Sequence, residues 1–135
     1  MGRGSRIVIS AVLAVTLGPA AWAIVHVIGV PVIDFVGKLL TGPIGVDVGI
    51  VLSWAIAIAV CSLPIAIAAR SQSAAFGLLA AITVATFMVI TVALFGGPIL
   101  SSRYLFITDT VILIALFPLA CFGWWRLGLD RKVKR

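Results

Sequence analysis

Four long apolar runs constrain this chain more than any other feature. They cover about residues 7–30, 46–69, 74–95 and 105–125. About 20 apolar residues allow an α-helix to cross the roughly 30 Å hydrocarbon core of a bilayer. The runs lack the alternation of β-barrel strands, so we predict helices that pair their backbone groups internally. The 135 residues are 63% hydrophobic and only 10% charged, which excludes an ordinary water-soluble domain.

The predicted fold is therefore all-α: one polytopic membrane domain over residues 1–135, with four transmembrane helices in a compact bundle. Segment 31–45, PVIDFVGKLLTGPIG, predicts a short amphipathic helix in the outer interface, between the first two spans. Asp34 and Lys38 lie four residues apart on its polar face and form a favourable pair. The alternative is that this segment continues the first span, with a kink at Pro31.

The basic residues predict the orientation in the membrane. Only Lys38 and Arg103 of the ten Lys and Arg residues lie in the two loops expected outside. The other eight precede the first span, mark the turn at Arg70, or follow the fourth span. The positive-inside rule then places both termini in the cytoplasm, at a bacterial-type inner or plasma membrane.

The basic C-terminal tail, residues 126–135, is expected to contact anionic lipid, because each basic residue near such a surface contributes about 1 kcal/mol of attraction. Nothing aromatic or structured accompanies the tail as it would in a nucleic-acid-binding segment, so nucleic acid is not an expected partner. The residues expected to contact lipid are Arg126, Arg131, Lys132, Lys134 and Arg135.

The first span has a second interpretation as a cleavable secretory signal. It has a basic start, an apolar stretch and the A-x-A pattern Ala21-Trp22-Ala23. The chain stays apolar beyond this site, whereas a mature terminus usually becomes polar. We therefore favour an uncleaved first helix.

Small residues at helical spacing predict how the helices pack. In lipid, helices associate through close backbone contact, which small side chains permit. The third span has such a stripe at Gly77, Ala81 and Ala85, and the second has one at Ser53, Ala57 and Cys61. These stripes are expected to hold the helices together, with a face for a partner protein as the alternative.

His26, Arg103 and Asp109 are the candidate outer polar cluster. A carboxylate inside an apolar run is costly and often functional. The alternative is that Thr108 or Asp109 caps a helix that begins at about Thr110.

No catalytic set, metal-ligand cluster or cofactor motif accompanies these residues, since the chain has one histidine and two cysteines within apolar runs. We expect a non-enzymatic accessory, structural or regulatory subunit of a larger membrane complex, with other subunits or further copies of itself as partners. The alternative is a small oligomeric transporter or channel with an outer polar cluster. A lipid-modifying enzyme that uses the same three residues is a third option.

Overall fold

The computed structural model describes residues 2–95 and 103–133, and side chains in 2–42, 44–91, 93–94 and 111–128. This part of the chain forms α1 (Arg3–Leu39), α2 (Pro43–Ala69), α3 (Ser73–Phe95) and α4 (Arg103–Val133), with a 3-10 turn at Arg70–Gln72. Three segments are long and apolar enough to cross a membrane: Arg3–Leu39, Ile44–Thr91 and Val111–Gly128. The second of them contains most of α2, the turn and most of α3. The all-helical class is confirmed, and the three segments are candidates to span a membrane by their length and composition.

Two tight reversals connect the first three helices. Gly42 has φ +88°, which a residue without a Cβ adopts easily, and Pro43 then opens α2. Arg70 has φ +53°, the one non-glycine positive φ among the described residues. Both reversals therefore depend on backbone geometry that ordinary side chains disfavour.

The separate interfacial helix expected at 31–45 is not found. Helix α1 continues through Pro31 to Leu39. The extension packs against α2: a Cβ at Gly49 would lie 2.9 Å from Ile33 Cα, and one at Gly45 would lie 3.5 Å from Gly37 Cα. Close backbone contact with α2 thus accounts for this part of α1, since a helix that packs on another one need not lie in the interface.

The four helices pack so that α1 and α4 each contact both α2 and α3. Helices α1 and α3 run in the same direction, because Gly18 lies against Ala80 and Trp22 lies against Phe87 further along both. Helix α4 runs the opposite way, beside the C-terminal half of α2, where the Cys121 thiol lies 3.8 Å from the Ser62 carbonyl oxygen.

The interior is built from small side chains and a few large ones. On α1 the buried face consists of Ser10, Ala14, Gly18 and Ala21. Large buried side chains such as Phe117, Ile58 and Ile65 fill the space between the other helices. Because lipid tails are as apolar as leucine, this packing stabilises the fold through van der Waals contact and not through removal of apolar surface from water.

The hairpin of α1 and α2 extends beyond the end of α3. Trp22 contacts Phe87, so the end of α3 at Phe95 is level with about residue 30 of α1. About nine further residues of α1 then rise roughly 13 Å, at 1.5 Å per residue. We call residues 31–48, the last part of α1 and the first part of α2, the hairpin tip.

Candidate functional site

The arginines whose side chains the structure describes gather at one end of the helices. Arg3 and Arg6 open α1, Arg70 lies in the turn after α2, and Arg126 is on the last part of α4. We call this the basic end. The carboxylates whose side chains are described, Asp34 and Asp47, lie at the opposite end in the hairpin tip, whereas Asp130 belongs to the last part of α4, with its side chain outside the described part. The described arginine side chains and the described carboxylates are therefore separated along the helices.

One concavity at the basic end is polar. It has a volume of about 420 Å³ and is lined by Arg3 and Arg6 of α1 together with Ser71 and Gln72 of the turn. Guanidinium groups bind phosphate and carboxylate with paired hydrogen bonds. The concavity therefore has the donor groups of an anion-binding surface.

A second concavity, the α2–α4 groove, is mainly apolar. It has a volume of about 320 Å³, at the lower end of the range of about 300–1,000 Å³ for small-molecule sites. The Trp124 indole N–H donates to the Ala59 carbonyl oxygen at 3.0 Å, which fixes this ring against α2. The groove is lined by Leu63, Ala66, Ile67, Arg70, Trp124, Trp125 and Gly128.

No prediction from the sequence joined Trp124 and Trp125 to Arg70. The signal was present: an arginine ends the second run, and two tryptophans end the fourth. Only the packing of α4 beside α2 shows that the two ends form one groove.

Of the predicted outer polar cluster, only the His26 side chain is described. It is exposed on α1, with Nδ1 2.9 Å from the Trp22 carbonyl oxygen and its ring centroid 4.0 Å from that of Trp22. Arg103 and Asp109 belong to α4, but their side chains lie outside the described part. The cluster therefore stays a prediction.

The alternative reading of Asp109 as a helix cap is wrong. Helix α4 begins at Arg103, so Asp109 lies well within the helix and not at its start. The expected start at about Thr110 came from the apolar pattern, which marks where a helix meets lipid and not where helical backbone begins.

The remaining predicted residues are placed as follows. Asp34 and Lys38 are exposed in the hairpin tip, and Gly77, Ala81, Ser53, Ala57 and Cys61 are buried between helices, while Ala85 is half-buried. In the tail, Arg126 is exposed, with its guanidinium carbon 6.0 Å from the centroid of the Phe122 ring. Arg131 and Lys132 lie in α4 with side chains outside the described part, and Lys134 and Arg135 lie outside the described residues.

Hydroxyl groups in the middle of the helices are bound to their own backbone. Thr86 donates to the Ile82 carbonyl oxygen at 2.8 Å and Ser53 to that of Gly49 at 2.8 Å. Within the described residues, no group of three or more His, Cys, Asp or Glu side chains could hold a metal ion.

No protein-family model matches the chain, and neither a curated protein nor a solved structure matches it. The geometry of the basic end and of the hairpin tip is thus the basis for a functional proposal.

Proposed function

We propose that this is a non-enzymatic integral membrane protein that supports or regulates a larger membrane complex, with its hairpin tip as the contact surface. The chain crosses the bilayer four times in this proposal, because α2 and α3, with 27 and 23 residues, are each long enough to span it. The basic end then faces the cytoplasm, as the positive-inside rule requires.

The observation that carries the proposal is the exposure of large apolar side chains in the hairpin tip. With Arg6 at the inner boundary, about 20 residues of α1 cross the hydrocarbon, and the tip stands outside it. Phe35, Leu39 and Ile44 are 64%, 70% and 67% exposed there. Burial of a side chain of this size is worth about 1.5–3 kcal/mol. A partner that covers these three side chains would therefore stabilise its complex with this chain by several kcal/mol. Lipid does not cover them in this proposal, because the tip stands outside the hydrocarbon.

The alternative of a channel receives less support from the interior. A Cβ at Gly18 would lie 2.6 Å from the Ala80 carbonyl oxygen, so α1 and α3 are in backbone contact. Ser53 and Ser62 are fully buried and donate within α2, and Thr16 and Thr86 face outward. These four hydroxyls therefore do not line a path between the helices.

The partner surface is tested by extraction of native membranes in a mild detergent. The wild-type chain is expected to migrate as a complex with its partner. The double variant Phe35→Asn, Leu39→Asn is expected to migrate without the partner, while its helix content stays unchanged. Leu127→Asn is the matched control, since Leu127 is 57% exposed near the basic end. A wild-type chain that runs alone, or a tip variant that keeps its partner, would contradict the proposal. Ion flux through the purified chain in proteoliposomes would favour the channel instead.

The four-span topology is tested separately by labelling of introduced cysteines with a membrane-impermeant reagent. Ser5→Cys and Ser71→Cys should react from the cytoplasmic side, and Gly37→Cys only from the other side. All three positions are exposed, and the native cysteines are buried. Reaction of Ser5→Cys and Ser71→Cys from opposite sides would rule out this topology.

A further inference from the structure

We propose that the α2–α4 groove binds an anionic phospholipid, with an acyl chain along the groove and the headgroup phosphate against Arg70. This inference needs only that α2 and α4 lie in the membrane. It is independent of the partner proposed for the hairpin tip, so either proposal can fail while the other holds.

The shape of the groove matches one acyl chain that descends from the membrane surface. Leu63 and Ile67 lie one turn apart on α2 and are exposed toward the surroundings, while Ala66 forms the floor. The indole of Trp124 forms the opposite wall and is held by its bond to Ala59. Because this bond holds the Trp124 ring before an acyl chain binds, binding costs less side-chain entropy than it would against a mobile ring.

Charge selects the headgroup. Arg70 directly follows α2 at the mouth of the groove. The two carboxylates whose side chains are described lie at the far end of the molecule, and Asp130, two residues after Gly128 on α4, has its side chain outside the described part. A guanidinium binds a phosphate oxygen pair in a fixed geometry. The headgroup of an anionic lipid carries a net negative charge, which attracts the Arg70 guanidinium. The headgroup of phosphatidylcholine carries a cation beside its phosphate and is neutral overall, so it attracts Arg70 less.

The backbone at Arg70 gives a second, independent reason to assign its side chain a role. Its φ of +53° is unfavourable for a residue with a Cβ, and glycine would form the same reversal at lower cost. An arginine at this position is explained if its guanidinium contributes something that the turn itself does not need. Arg70→Gly should therefore fold at least as well as the wild type while it loses headgroup selection.

The groove also offers a steric test with a matched control. Gly128 lines the groove, and a Cβ built on it meets nothing within 4 Å, so Gly128→Phe can fill the mouth without a clash. Gly123 is on the same helix with equally open space but does not line the groove. Gly123→Phe therefore controls for the added ring.

The measurement is quenching of tryptophan fluorescence by brominated lipid. In a Trp22→Phe, Trp54→Phe background, whose helix content is checked first, only the two groove tryptophans emit. The protein is placed in bilayers of phosphatidylcholine with phosphatidylglycerol, and either lipid is brominated in turn. Stronger quenching by the phosphatidylglycerol at equal mole fraction measures its preference for the groove.

We expect Arg70→Gly to lower this preference about fivefold, as for loss of one basic residue near the lipid surface. Arg126→Gln removes the same charge at the same end but outside the groove lining, and should leave most of the preference. Gly128→Phe should lower quenching by both lipids, and Gly123→Phe should not.

Four outcomes would overturn the inference. Equal quenching by the two lipids in the wild type would show that the headgroup is not selected. An equal loss in Arg70→Gly and Arg126→Gln would show a diffuse surface charge. Displacement by inorganic phosphate without any effect of Gly128→Phe would identify a soluble anion as the ligand. No quenching at all would show that a protein segment fills the groove.

Discussion

The contact of α1 with α3 at Gly18 makes a quantitative prediction about Gly18→Ala. The new Cβ would lie 2.6 Å from the Ala80 carbonyl oxygen, and both groups belong to helix backbone that cannot rotate away. To reach an ordinary contact of about 3.4 Å, the two helices must separate locally by about 0.8 Å. A gap of about 0.5–1 Å forfeits roughly a quarter to a half of the dispersion energy of the atom pairs that face it.

The expected cost is about 1–3 kcal/mol of unfolding free energy, the usual range for one excess methyl group in a packed interior. Alanine also gains up to about 1 kcal/mol over glycine in a helix, which would partly hide that cost. Gly29→Ala removes this ambiguity, because Gly29 is on the same helix and its Cβ meets nothing within 4 Å. We therefore expect Gly18→Ala to be about 1–3 kcal/mol less stable than Gly29→Ala.

The assay is unfolding by sodium dodecyl sulfate in mild detergent micelles, followed by tryptophan fluorescence, to which Trp22 contributes as one of four tryptophans. This ring contacts Phe87 edge-on at 5.4 Å between centroids, so it reports the separation of α1 from α3. Equal unfolding free energies for the two alanine variants would refute the reasoning, because they would show that no close α1–α3 contact exists at Gly18.

Three further predictions concern single side chains. Cys61 and Cys121 are 2% and 0% exposed, so a water-soluble maleimide should modify neither until the protein is unfolded, as measured by intact mass; rapid modification of the folded protein would contradict the packing. Trp124→Phe removes the hydrogen bond to the Ala59 carbonyl oxygen and should cost about 0.5–1.5 kcal/mol in the same unfolding assay, so an unchanged stability would mean that this bond is not formed. Thr86→Val should change stability by less than about 0.5 kcal/mol, because the hydroxyl faces outward and bonds only within α3 in the described structure; a larger loss would reveal another partner.

The membrane character and the helical class follow from the sequence, because long apolar runs favour lipid as the solvent and lipid in turn favours helices. An apolar run of some 20 residues in lipid has no other way to pair its backbone groups than to form a helix. The runs expected at 46–69 and 74–95 lie within α2 and α3 for that reason. The small-residue pattern likewise marked Ala57, Cys61 and Ala81, which are buried between helices.

The helix ends were less predictable, because hydropathy marks where a helix meets lipid and not where helical backbone stops. Residues 31–39 have the amphipathic pattern of an interfacial helix, yet they extend α1 because Gly45 and Gly49 admit them against α2. Asp109 has the position in the sequence expected of a helix cap, because it precedes an apolar run, yet α4 begins at Arg103.

The sequence alone thus determined the apolar, membrane-type character of this protein, its helical class and the concentration of basic residues near the predicted inner boundary. Only the tertiary structure decided which helices are neighbours, since helix faces of similar apolar character do not specify their partners. It placed α4 beside α2, which joins Arg70 to Trp124 and Trp125 in one groove, and α1 beside α2 up to the hairpin tip. The physical reason is that solvent preference is a sum over single residues, whereas a groove or a protruding tip arises from shape complementarity between residues far apart in the chain.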